Sequence, residues 1–251
     1  MELTVWFVVL LATTGFIAGI INTLAGGGSN LTLPALMMMG LPADVANATN
    51  RVGVFMQSLV GLKGFHGHGE LPLQDARGIL IPTLVGGLVG AAIASWMPTT
   101  LLKPILLITM ISMSVVILLK PATVIPQAGE QPYRVQERRR AAAMLFLAGV
   151  YGGFVQAGVG FVLIAAIAGG LRYDLVKTNA LKILCTMAFT AVALGLFIVR
   201  GQVSWVPGLI LAMATMAGAQ VGVRLALNVS QRFMKWFLLL MTVAASIGAM
   251  L

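Results

Sequence analysis

The stretch INTLAGGGSNLTLP, residues 21–34, decides how the rest of the chain is read. Three consecutive glycines, Gly26, Gly27 and Gly28, interrupt a run apolar enough to lie in a membrane. A glycine costs a helix interior about 1 kcal/mol relative to alanine, so three in a row predict a break. A break inside lipid strands backbone N–H and C=O groups away from water, and each stranded group is expensive. Such a break is tolerated where it lines a cavity, so these residues point to a site as well as to a fold.

The surroundings are those of an integral membrane protein. Of 251 residues, 59% are hydrophobic and 9% charged, and the mean hydropathy is +0.98. Soluble domains carry about 25% charged residues. The formal charge of +9 does not signal nucleic acid. Lys120, Arg134, Arg138, Arg139, Arg140 and Arg172 all flank apolar segments, where basic residues set topology. The single cysteine, Cys185, lies in an apolar run, which leaves no disulfide and no cysteine metal cluster. The opening MELTVWFVVLLATTGFIAGI has no basic n-region, so it reads as a retained first segment with its end outside.

Working outward from the glycines, apolar stretches occupy 3–24, 29–40, 45–65, 78–97 and 101–119. After KPATVIPQAGEQPYRVQERRR they resume at 141–156, 160–171, 175–199, 203–227 and 232–251. The halves echo each other. LAGGGSNLTLP at 24–34 answers QAGVGFVLIAA at 156–166, GLPADVANATNR at 40–51 answers GLRYDLVKTNA at 170–180, and GGLVGAAIASWMPTTLLK at 86–103 answers GAQVGVRLALNVSQRFMK at 218–235. The chain is expected to divide into an N-terminal repeat (1–119), a cytoplasmic linker (120–140) and a C-terminal repeat (141–251). Internal repeats of this kind mark many transporter folds.

Segments 29–40 and 160–171 reach about 18 Å at 1.5 Å per residue, short of a hydrocarbon core of about 30 Å. The expected fold is an all-α polytopic membrane protein of two inverted repeats, each a re-entrant or short-helix hairpin plus three transmembrane helices. Residues 3–24 are long enough to span, but two matched hairpins keep the number of crossings in each half odd. With the linker cytoplasmic, inside ends carry Lys63, Arg77, Lys120, Arg134, Arg138, Arg139, Arg140, Arg172, Arg232 and Lys235, and outside ends carry Lys103 and Arg200. That asymmetry predicts a multi-pass protein of the cell inner membrane with both termini periplasmic.

The breaks are where a ligand is expected. A short helix starting at Ser29, and its partner starting near Phe161, would present free N–H groups and positive dipole ends to an anion. Gly26, Gly27, Gly28, Gly158 and Gly160 would let backbone approach that anion, although close helix packing is the plainer use of glycine and suits Gly86, Gly87 and Gly90. Arg51 and Lys182 lie about 10 and 12 Å into their segments, just after the matched Asn50 and Asn179. Snorkelling would explain either cation alone, and the matched placement favours a role in binding. All seven acids lie at segment ends or in loops, so the interior suits an anion rather than a cation. HGHGE, residues 66–70, reads as a solvated turn, and neither metal nor cofactor is expected. No catalytic motif such as HExxH or a nucleotide-binding Gly-Lys-Ser/Thr is present, so an enzyme is not expected.

AGIINTLAGGGSNLTLPAL, then GLPADVANATNR, then a second copy with GVGF and KTNALK, resembles the TauE/SafE family of membrane permeases, the sulfite exporters. The resemblance covers essentially the whole chain. It implies a bacterial inner-membrane carrier of a small anion such as sulfite, a sulfonate or a related organic acid, without fixing the direction, and export is the expected one. Its partners would be that anion and the lipid bilayer, with no nucleic acid and room for a homodimer. A passive anion channel and a non-transporting membrane subunit of a complex are the alternatives.

Overall fold

The computed structural model describes residues 5–119 and 131–228. The last apolar segment, 232–251, and Lys120, Arg232 and Lys235 lie outside the described residues. Every regular element described is helical: α1 (Val5–Leu24), α2 (Ser29–Met38), α3 (Ala43–Gly67), α4 (Leu73–Trp96), α5 (Thr99–Leu119), a short 3-10 turn (Val135–Glu137), α6 (Arg139–Phe154), α7 (Val159–Ile164) with a wider π-helical continuation (Ala165–Gly170), α8 (Leu175–Val199) and α9 (Trp205–Asn228). Local chemistry sets the ends. Gly40, Gly69 and Gly201 adopt positive φ just beyond α2, α3 and α8, the conformation that stops helices and that glycine takes at least cost. Pro42 and Pro72 stand immediately before α3 and α4. The Asp174 carboxylate accepts from Lys177 N at 2.9 Å and caps α8.

Four described helices, α1, α4, α8 and α9, are long and apolar enough to cross a membrane. Their outward faces carry exposed apolar residues, among them Phe16, Ile81, Leu88 and Met213, as lipid-facing surfaces must. The most buried long helix is α3, which holds Asn47, Thr49, Asn50, Arg51, Gln57 and Ser58 out of contact with the exterior. The chain is a multi-pass membrane protein.

Glycine pairs zip the helices together. On α1 and α9, a Cβ at Gly19 would sit 2.3 Å from Thr215 O, and one at Gly218 would sit 2.0 Å from Phe16 O. On α4 and α6, a Cβ at Gly90 would sit 1.9 Å from Val150 O, and one at Gly153 would sit 2.1 Å from Gly87 O. Without a hydrophobic drive between helices in lipid, such close backbone approach supplies the attraction. The packing expected for Gly86, Gly87 and Gly90 is what these residues do: their Cβ positions are filled by Phe146 O, Phe189 Cβ and Val150 O.

The contact register gives direction. Gly53 meets Leu211 and Gly64 meets Val223, so α3 and α9 run the same way; Gly15 meets Leu211 and Gly222 meets Thr23, which aligns α1 with them. Thr83 meets Gly149 and Gly153 meets Ala91, and Tyr173 meets Asp75 while Thr83 meets Cys185, so α4, α6 and α8 are parallel. Arg51 lies on Phe197 and Gly61 on Ile183, which sets the two trios antiparallel. The short α2 turns back along α1, where Leu36 and Met39 join Leu11 in one core cluster flanked by Phe7. The first arm of this hairpin, with 20 residues, is about 30 Å long, longer than a half-depth hairpin needs.

One end of the bundle therefore gathers Lys63, Arg77, Arg134, Arg138, Arg139, Arg140 and Arg172, and the other holds Lys103 and Arg200. Part of the interhelix segment is docked at the basic end. Tyr133 N donates to Leu171 O at 2.9 Å, and Val135 is buried with Ile79, Leu171 and Tyr173. Tyr173 donates to Asp75 Oδ2 at 2.6 Å. Burial, with the neighbouring carboxylate, raises its phenol above the ordinary range and keeps it a donor.

Candidate functional site

The two breaks meet. A Cβ on Gly26 would lie 2.3 Å from Gly160 Cα, and one on Gly160 would lie 2.3 Å from Gly26 Cα, so backbone crosses backbone with room for hydrogen only. Gly26 and Gly158 take φ of +95° and +76°, where side chains other than hydrogen are strained. Gly27 faces the Phe161 ring, with its Cβ position 2.8 Å from Cε2, and Gly28 fits against Ala18 O at 2.3 Å. The second helix begins at Val159 rather than near Phe161, because Gly158 supplies the left-handed turn two residues earlier than the sequence suggests.

The start of α2 is tied down on two sides. Asn22 Oδ1 accepts from Gly28 N at 2.7 Å. Asn50 Nδ2 donates to Ser29 Oγ at 3.1 Å, and Thr32 Oγ1 donates to Asn50 Oδ1 at 2.6 Å. Asn50 thus positions the first turn of α2 from α3.

The two interior cations have equivalent tasks. The Arg51 guanidinium donates to Gly152 O at 3.0 Å and to Gly153 O at 2.6 Å, and packs 5.1 Å from the Phe197 ring centre. Those carbonyls end α6. Lys182 Nζ donates to Thr23 O, at the end of α1, at 3.0 Å, and to Asn179 Oδ1 at 2.7 Å. Each cation sits at the negative end of the helix that precedes a break and offers donors to carbonyls a broken helix leaves open.

They differ in what else they reach. Beside the crossing lies a cavity lined by Asn22, Thr23, Gly26, Ser29, Val54, Gln57, Ser58, Gln156, Val159, Gly160, Lys182, Ile183 and Thr186, offering about 20 Å³ to water centres. That is room for about one water. Among the described residues, Lys182 is the one charged group in the lining; Arg51, Asn50, Asn179, Gly27, Gly28 and Gly158 are not part of it. The Oε1 atoms of Gln57 and Gln156 are buried with no donor among the described residues, a costly state that a ligand or water relieves. Gly26, Ser29, Gly160 and Lys182, expected from the sequence as site residues, meet here together with Ser58 and Thr186, which are not among those expectations. The spacing of Val54, Gln57 and Ser58 on α3, and of Lys182 and Thr186 on α8, holds the missing signal, since residues three and four apart share a helix face.

The family model for the sulfite exporter TauE/SafE matches residues 11–249. The chain belongs to this family. Among TauE/SafE relatives, it is 26% identical to "Probable membrane transporter protein ORF9" of Sinorhizobium sp, over 98% of this chain and 93% of that one. It is 28% identical to "Probable membrane transporter protein YfcA" of Escherichia coli strain K12, over 92% of this chain and 84% of that one. It is 23% identical to a "Probable membrane transporter protein" of Haemophilus influenzae, over 96% and 94%. No solved structure matches. Family and relatives alike are named for transport, and the match runs through both halves rather than one.

Proposed function

We propose that this TauE/SafE protein is a secondary transporter that exports a small anion, such as sulfite, a sulfonate or a related organic acid, by alternating access between two inverted repeats. The observation that carries the reading is the cavity at the crossed breaks, whose one charged lining group among the described residues is the Lys182 ammonium. Ser29, Ser58 and Thr186 hydroxyls and the Asn22, Gln57 and Gln156 amides supply hydrogen bonds around it. The family name and the names of the relatives support transport. The opposed directions of the two helix trios support the inverted repeat, and the basic end of the bundle supports a cytoplasmic linker in the inner membrane. A cavity sized for a water must widen before it holds a sulfonate, which favours a conformational cycle over a standing anion pore.

The test is thermal stability of the detergent-purified protein with sulfite, sulfate, taurine, sulfoacetate and simple carboxylates. An anion at a hundred times its Kd adds about 2.7 kcal/mol. Stabilisation by cations or uncharged solutes, with none by any of these anions, would overturn the reading.

A further inference from the structure

Resting on that anion reading, we propose that Lys182 is the coupling group: it holds one proton while the anion is bound and gives it up on release, so anion and proton cross together.

The geometry of Nζ carries this. Its two protein partners, Thr23 O at 3.0 Å and Asn179 Oδ1 at 2.7 Å, both accept. An ammonium has three donors, and a neutral amine has two donors and a lone pair. Two acceptors therefore satisfy the side chain in either state. Lys182 also lines the cavity, so the third position can serve there as an N–H toward the anion or a lone pair toward water. The cage does not have to rearrange when the proton leaves.

The surroundings make the proton dispensable only when the anion is gone. No acid among the described residues stands in the cavity lining, and an ammonium at membrane depth without a counter-charge is expensive. The bound anion supplies that charge. When it leaves, the Nζ–H bond breaks toward water on the same side and the electron pair stays on nitrogen. The proton is regained from water on the other side with the next anion. One monoanion and one proton leave together per cycle, so export is electroneutral and runs down a cytoplasmic excess of the anion that exceeds the opposing proton gradient, and the returning carrier is neutral at this position.

No other titratable group faces Nζ among the described residues. From α3, Arg51 turns to the end of α6. From α6, the Tyr151 hydroxyl donates to Ala157 O. On α8 itself, Cys185 meets Thr83 of α4, and Asp75 of α4 is bound to Tyr173 at the basic end. From α1, α2 and α7, the cavity receives none. The matched residue in the other half makes the contrast. Arg51 performs the same clasp with a group that does not deprotonate in proteins, and it stands outside the cavity. The permanent charge is structural, and the exchangeable one is at the site.

The experiment uses the full chain in proteoliposomes with labelled methanesulfonate, which stays a monoanion at every usable pH. A tenfold proton gradient should drive a tenfold methanesulfonate gradient in the wild-type protein at steady state. Lys182→Arg and Lys182→Met exchange the anion more slowly, but the steady-state ratio, which does not depend on rate, falls to one. Wild-type exchange with no response to the proton gradient overturns proton coupling and leaves the anion reading standing. Absence of wild-type exchange overturns the anion reading itself. Tenfold accumulation by either variant moves the coupling away from Lys182 and refutes the proposal. Should a variant fail to fold, proton uptake on methanesulfonate binding to the wild-type protein decides. About one proton per anion is expected in the pH range where the anion binds, and none anywhere in that range refutes the proposal.

Discussion

The crossing of Gly26 and Gly160 can be tested by adding one carbon to each side. In Gly160→Ala the new Cβ would fall 2.3 Å from Gly26 Cα, whereas carbons rest at about 3.5–4.0 Å. Backbone occupies the far side, so one break must move by more than about 1 Å. Forcing a methyl into a filled interior costs about 1–3 kcal/mol. Gly26→Ala meets the same obstacle from the other side, at φ +95°. The left-handed conformation adds about 1–2 kcal/mol for alanine, for a total of about 2–5 kcal/mol. Both substitutions press on one contact, so separating the breaks for the first relieves the second. The double variant should therefore lose about 1–3 kcal/mol less than the sum of the singles. Reversible unfolding in mixed micelles, followed by tryptophan fluorescence, measures all four corners of the cycle. Strict additivity, or a Gly160→Ala protein as stable as the parent, would show that the two breaks do not touch.

Arg51→Met should remove about 3 kcal/mol or more of stability in the same assay, because the charge-assisted hydrogen bonds to Gly152 O, Gly153 O and Phe154 O at the end of α6 are lost. Anion affinity of the folded fraction should be unchanged, and a clear loss would return Arg51 to the binding site. Gln131→Cys, at an exposed position in the interhelix segment, should react with an impermeant maleimide only from the cytoplasmic face. The native Cys185 is buried and gives a low background, so labelling from outside intact cells would refute the topology.

Much of the fold was legible because its signals are local. Apolar runs long enough to span, proline before helix starts and glycine after helix ends are written in consecutive residues. The glycine triplet announced a break without any neighbour, since its cost is intrinsic to the backbone. The basic residues sorted themselves by segment end, and the bundle gathers the described ones at the ends so assigned. Even the packing glycines carry a spacing of four, at Gly15 and Gly19, Gly86 and Gly90, Gly149 and Gly153, and Gly218 and Gly222.

The division of labour between Arg51 and Lys182 was not written there. In sequence they are twins, each a cation after an asparagine at a similar depth, and arginine had the better chemistry for gripping an oxyanion. Which one reaches the cavity depends on where the chain around Gly152 and Gly153 comes to rest, about a hundred residues away. Those carbonyls take the fork of Arg51, while Lys182 gives one donor to the end of α1 and one to Asn179 on its own helix and lines the cavity. Sequence by itself determined the breaks, the spans and the charges available, because backbone strain and hydrophobicity act within a few residues. Only the tertiary structure decided which charge lines the cavity, because a buried cation goes first to the carbonyls a broken helix leaves unpaired, and their position exists only once the helices have packed.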